Sequence, residues 1–184
     1  METSKAISEL VDTYHWVQQD LMPSEPTESQ NILRHLAKML VLSCGSYYED
    51  KLISTIKTYV QKQILAFERN PHSFELIASL SFFSLFDFPG EDKLGQAKQF
   101  LSPLQKYFGR AFLKQIKDDI QTDNGLNQQM NAFQEMCSMR NYFTHNNLIE
   151  YDNFRDKTFK DIKCLHDQAE GFLEFLVNKF DGQV

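Results

Sequence analysis

Apolar residues along this chain recur at steps of three and four, and no segment sustains the two-residue alternation of a strand. Six helical segments read from that period, seven if a short fourth piece is a helix of its own. The first runs from about Ser4 to Asp20, with Ile7, Leu10, Val11, Tyr14 and Val17 on one side, and stops before Pro23-Ser24-Glu25-Pro26. The second opens with Thr27 as a candidate N-cap and runs unbroken to about Arg69, just ahead of Asn70-Pro71. Gly45-Ser46 offers a place for it to bend. Further segments cover Ser73 to Phe86, about Glu91 to Phe100, Pro103 to Ile120, Leu126 to about Phe143, and about Asp156 to Phe180. Pro103 suits a first helical turn, and Thr122-Asp123-Asn124-Gly125 suits a joint. The pattern predicts an all-α, up-and-down helical bundle, a single domain over 1–184 with the second helix as its spine. Residues from about 70 to 108 read as a helical insertion or flap, Phe-rich around Ser81 to Phe88.

Two charges fall where the period asks for apolar groups. The stripe Leu126, Met130, Phe133, Cys137, Arg140, Thr144 keeps to one helical face, so Arg140 occupies a core-type position. On the second segment, Leu42, Ser46, Glu49, Ile53, Ile56 and Val60 share a face that contains the acid Glu49. A buried guanidinium without a partner costs several kcal/mol or so. Opposite charges on apolar faces of two helices in one bundle are therefore expected to meet, with Glu49 fixing the fork of Arg140.

Arg140 opens the run Arg140-Asn141-Tyr142-Phe143-Thr144-His145. An arginine steadies a phosphate and a histidine moves a proton to or from a ribose hydroxyl, which together suffice to cut RNA without a metal. The five-residue step sets Arg140 and His145 about 140° apart around an ideal helix, whereas Asn141 and His145 share a face. Either the helix loosens near Thr144, or the site combines residues from two chains. The plain alternative is that Arg140 is a structural ion-pair partner and His145 an exposed helix-terminal histidine favoured by the dipole.

Composition narrows the classes. A net charge of −6 argues against a protein that coats nucleic acid generally, while leaving room for a local basic patch. Cys44, Cys137 and Cys164 show no metal-ligand spacing, and each lies in an apolar-periodic segment. They read as reduced, buried thiols of a cytoplasmic protein. Met1 to Leu10 has no apolar run of the signal-peptide kind, and no stretch approaches a membrane span. No Gly-rich phosphate loop, HExxH or Ser-centred hydrolase motif is present, and no metal or cofactor site is readable.

With these residues in hand, the chain resembles the HEPN-domain family, and specifically its ribonuclease branch of bacterial defence and toxin systems, including RiboL-PSP-type relatives. The likeness rests on an R-x(4–6)-H motif with a polar residue directly after the arginine, here Arg140, Asn141 and His145. The motif closes the penultimate long helix, and Ser46-Tyr47-Tyr48-Glu49 matches the Ser-x-x-Glu of an earlier one. It covers about Thr27 to Arg69 and Leu126 to Phe180. The resemblance implies a metal-independent endoribonuclease acting as a homodimer, with RNA as substrate and an antitoxin or regulatory protein as a possible partner. His145 would be general acid or base, Arg140 would hold the scissile phosphate, Asn141 would orient them, and Glu49 would anchor Arg140. A non-catalytic HEPN-like module for dimerisation or partner-protein binding is the alternative.

Beside the motif, Arg155, Lys157, Lys160 and Lys163 form a cationic run. A run of this kind is usually a solvated helix face, but its position makes Lys157, Lys160 and Lys163 candidate RNA-backbone contacts. Tyr142 and Phe143 are candidates for stacking on a base, or for packing in a dimer interface. His166, on the stripe Ile162, His166, Ala169, Leu173, Leu176, reads as a satisfied core or interface histidine rather than a catalytic one.

Overall fold

A computed structural model describes residues 5–24, 26–66, 101–145 and 157–182, and these form five α-helices with no strand among the described residues. They are α1 (Lys5–Trp16), extended by a π-helical turn over Val17–Leu21, α2 (Pro26–Ala66), α3 (Leu104–Thr122), α4 (Asn124–His145) and α5 (Phe159–Asp181). The segments expected over Ser73–Phe86 and Glu91–Phe100, and with them most of the expected flap, lie outside the described residues.

The bundle is built on α2, α4 and α5. Ring and hydrogen-bond pairs set the direction of the elements. Tyr48 meets His166 and Tyr59 meets Phe180, so α5 runs parallel to α2. Arg140 crosses Gly45 while Phe133 meets Tyr48, and Glu135 meets Lys157 while Gln129 lies over Gly171, so α4 runs antiparallel to both. Leu40, Cys44, Tyr48, Leu52 and Ile56 of α2, Met130, Phe133 and Met136 of α4, and Ile162, Phe172, Leu173 and Leu176 of α5 are all fully buried. Each such side chain stabilises the fold by about 1.5–3 kcal/mol before entropy is charged against it.

The helix ends differ from the sequence reading in instructive ways. α2 already begins at Pro26, so Thr27 lies within the first turn instead of capping it. Proline suits that place because its missing N–H would be unsatisfied there anyway. The helix runs on through Gly45-Ser46 without a break. The joint between α3 and α4 shrinks to one residue, Asp123. It takes an extended conformation, and its Oδ1 accepts from the backbone N–H of Gly125 at 2.8 Å and of Leu126 at 3.1 Å. α5 begins at Thr158–Phe159, later than the expected Asp156, because Thr158 and Asp161 form a reciprocal capping box.

Gly109 is the one positive-φ residue among those described (φ 83°), and it divides α3 into two helical pieces. The stretch before it turns onto the core: Leu101 and Leu104 are fully buried, and the Phe108 ring packs 4.8 Å from that of Phe180. Of the described part of that segment, Leu101 and Leu104 thus belong to the core, while Ser102 and Gln105 are exposed.

Candidate functional site

The geometry around Arg140 starts from a glycine. Gly45 is buried on α2, one turn before Glu49, and the aliphatic stem of Arg140 crosses directly over it. A β-carbon at position 45 would fall on Arg140 Cγ and lie 2.8 Å from Arg140 Cβ, inside any real contact distance. The absence of a side chain lets α4 approach α2 closely enough for the guanidinium to reach the next turn. There Nη2 donates to Glu49 Oε2 at 2.8 Å. The arginine side chain is 15% exposed and the glutamate 29%, which places the pair at the rim of the bundle rather than in its core.

The α2 stripe read from the sequence is therefore a flank over Leu42 to Ile53, and Ile56 beyond it is fully buried. Ser46 is exposed, and Leu42, Glu49 and Ile53 are half-buried. The core line is the neighbouring row Cys44, Tyr48, Leu52, Ile56. Of the α4 stripe, Leu126, Met130, Phe133 and Cys137 are buried while Thr144 is exposed, so that stripe leaves the core at Arg140. Burial pushes the Cys137 thiol beside Arg140 well above its usual range, and the thiol stays protonated and inert.

The helix does not loosen before the motif ends. Thr144 Oγ1 donates to the carbonyls of Arg140 at 3.2 Å and Asn141 at 2.9 Å, and α4 continues to His145. The backbone of His145 therefore lies about 140° around the axis from Arg140, and its side chain lies outside the described residues. Asn141 and Tyr142 are half-buried. Phe143 packs into the chain's own core at 4% exposure, so of the two rings only Tyr142 remains at the surface.

The cationic run is less available than the sequence suggested. Lys157 Nζ is bound to Glu135 Oε1 at 2.6 Å, and Lys163 is bound to Asp167 one turn along α5. Lys160 is exposed, and Arg155 lies outside the described residues. Cys164 is exposed, correcting the expectation that all three thiols are buried; Cys44 and Cys137 are. Position 164 falls on the outer face of α5, between the inward-facing Ile162 and His166.

His166 is a core residue, 1% exposed, with Nδ1 2.8 Å from the Tyr48 hydroxyl. Burial pushes its pKa down to about 4 and that of Tyr48 well above the usual phenol range, so both are neutral and share one hydrogen bond whose direction the imidazole tautomer sets. Sequence reading placed His166 correctly but missed its partner. The signal was the four-residue row that puts Tyr48 between Cys44 and Leu52. His166, Asp167 and Glu170 bring ligand atoms within 4.8 Å of one another, the arrangement nearest to a metal cluster among the described residues. Each is already engaged, by Tyr48, Lys163 and Tyr47 respectively.

The buried histidine gives a pH-dependent stability. Its folded pKa lies below the ordinary 6.5, so the unfolded chain binds the proton more readily. Stability from this group is complete above about pH 6.5 and is lost as pH falls toward 4, by about 3 kcal/mol in all. Urea unfolding of the wild type between pH 7 and 4 is expected to show this loss, and His166→Phe to flatten it. An equal pH dependence in that variant would place the titrating group elsewhere.

A model of the RiboL-PSP-HEPN family matches residues 2–182, nearly the whole chain. The chain belongs to the RiboL-PSP-HEPN family. HEPN domains are generally associated with ribonuclease function, and they commonly bind RNA and dimerise. The all-α bundle is that of the HEPN type. No curated protein and no solved structure matches the chain. Among the described residues of this HEPN domain, no helix is long and apolar enough to cross a membrane.

Proposed function

We propose that this HEPN protein is a metal-independent endoribonuclease. It cleaves RNA by attack of the ribose 2′-hydroxyl on the adjacent phosphate, at a composite site of a homodimer. The observation that carries the reading is the Arg140–Glu49 pair, seated over Gly45 at the rim of the bundle. A guanidinium fixed at one end by a carboxylate is preorganised, so little side-chain entropy is lost when it meets a phosphate. In the proposed mechanism Arg140 holds the scissile phosphate and stabilises the charge that develops on it. His145 takes the 2′-hydroxyl proton and returns one to the leaving 5′-oxygen. Asn141, one turn before His145, orients it or the phosphate, and Tyr142 borders the cleft. The nucleophile belongs to the substrate, so no metal-activated water is required. Within this reading the domain is residues 1–184, and its role is that of a toxin or phage-defence effector restrained by a cognate protein.

The wild type is expected to cut RNA in the presence of EDTA, leaving 2′,3′-cyclic phosphate or 3′-phosphate ends. His145→Ala is expected to lower the rate by about 10²–10⁴ with an unaltered melting curve. Undiminished cleavage by that variant removes His145 from the mechanism. A wild type that cuts no RNA but forms a stable complex with a protein partner supports the non-catalytic alternative.

A further inference from the structure

A cavity of about 370 Å³ lies between α1 with its π turn, the first turns of α2, and the N-terminus of α5. Among the described residues its charged lining is Arg34, Lys157 and Lys160, of which Lys157 is bound to Glu135, and no carboxylate lines it. The cavity at the α3–α4 joint, in contrast, is lined by Asp119 and Asp123 as well as Lys179. Two amide side chains, Gln18 on the π turn and Gln30 on α2, complete the polar lining. The cationic run on α5 thus has a second half on α2 that the spacing of lysines did not reveal. Lys160 and Arg34 are exposed, so their heads are accessible.

We propose that this groove is a second RNA-backbone site, which holds phosphates of a single-stranded RNA at a distance from the cleavage point. Several features point to a polyanion. Arg34 and Lys38 are one helical turn apart, and burial first and Arg34 second lower the Lys38 pKa. The N-terminus of α5 adds its positive dipole end to the same groove. Asp161, next to Lys160, turns its Oδ2 to the backbone N–H and hydroxyl of Thr158, and Asp156 lies outside the described residues.

The lining also indicates what part of the RNA is held. The two rings in the groove, Tyr14 and Phe159, are stacked on each other with centroids 4.2 Å apart, and both are buried. They form a floor rather than a platform for bases. Cations and amides meet phosphates and ribose hydroxyls, so the groove grips the strand without reading its sequence. Arg34 and Glu49 lie on one unbroken helix, fifteen residues apart. That separation is about 22 Å, or about six stacked nucleotides at ~3.4 Å each.

This inference rests on the ribonuclease reading only for its effect on cleavage, and binding is measured separately. The test is fluorescence anisotropy of a labelled 12-nucleotide single-stranded RNA with full-length chain in the His145→Ala background, across a salt series. The double variant Arg34→Glu/Lys160→Glu, checked by its melting curve, is expected to bind several-fold more weakly. Its slope of log K against log salt should fall by about 1.4, two contacts at about 0.7 each. Arg34→Ala/Lys160→Ala should move the slope the same way. The exposed lysines of Lys57→Glu/Lys62→Glu control for overall charge. An unchanged slope in the groove variants, or an equal loss in the control pair, overturns the proposal. So does displacement of the RNA by AMP at equal phosphate concentration, which would mark a mononucleotide pocket. Cleavage by the parent chain is followed on the same RNA. If nothing is cut but the groove variants still lose affinity, the nuclease reading fails and the groove stands. If RNA is cut and affinity is unchanged, the groove alone fails.

Discussion

A one-to-one mixture of Arg140→Ala and His145→Ala chains is expected to cleave RNA at about a quarter of the wild-type rate, although neither variant alone cleaves appreciably. Each single change removes a group that acts in the transition state. Loss of the phosphate-holding guanidinium costs about 10²–10³ in rate and loss of the proton-transfer group about 10²–10⁴. The recovery on mixing follows from the angle between them. α4 keeps helical geometry through Thr144 to His145, so the two backbone positions lie about 140° apart around the axis, and the proposed cleft draws them from two chains. In a two-fold dimer each cleft takes Arg140 from one protomer and His145 from its partner. Random exchange makes half of the dimers mixed, and each mixed dimer keeps one of its two clefts intact, which gives about a quarter. Initial rates on a labelled RNA after co-expression or subunit exchange decide it. Were both residues to serve the same cleft from the same chain, every mixed dimer would be dead at both sites. A mixture no more active than its components would therefore sink the shared cleft while leaving the ribonuclease reading in place.

The fold was legible in the sequence where period and breakers agreed, and less so where a single side chain decided. The three-and-four rhythm marks α2, α4 and α5 because each lays one face on the core, and the scarcity of glycine and proline leaves them long. Their ends were misplaced where the deciding interaction is a cap. The Asp123 carboxylate folds a four-residue joint down to one residue, and Thr158 with Asp161 starts α5 late. The meeting of Glu49 and Arg140 followed from two charges on apolar faces, although Glu49 proved to flank the core by one row. What the pattern did not carry was close approach. A glycine reads as a breaker in one dimension, and its use as the seat of a side chain from another helix appears only in three. The groove beneath Lys160 was hidden for a related reason, since Arg34 and Lys160 are far apart in the chain and only parallel packing of α2 and α5 brings them together. The chemistry at His145, where the motif ends, rests on the sequence.

The seat itself gives the second large effect. Gly45→Ala should lower stability and RNA cleavage together in the wild type, and should cost less stability once Arg140 is alanine. Two contributions compete. Alanine in place of glycine inside α2 favours the helix by about 1 kcal/mol. Against this, the new methyl lands on Arg140 Cγ and lies 2.8 Å from its Cβ, atoms near the backbone that cannot swing aside as the tip of a long chain can. Overpacking of this kind costs about 1–3 kcal/mol, so a net loss of up to about 2 kcal/mol is expected. The shift it forces on Arg140 draws the guanidinium from Glu49 and should cost about 10²-fold in rate, as displacements of about 1 Å do at such sites. Glu49→Ala should resemble it in activity, and should cost about 1–3 kcal/mol because it leaves a mostly buried cation without its carboxylate. With Arg140→Ala the Cγ and Cδ contacts are gone while the Cβ, 2.8 Å from the new methyl, remains, so the penalty shrinks without vanishing. Urea unfolding of the four proteins in the Gly45/Arg140 cycle measures the coupling directly, expected at about 1–3 kcal/mol. Additive changes would mean that α4 does not rest its arginine on Gly45, and the preorganised guanidinium would lose its structural basis.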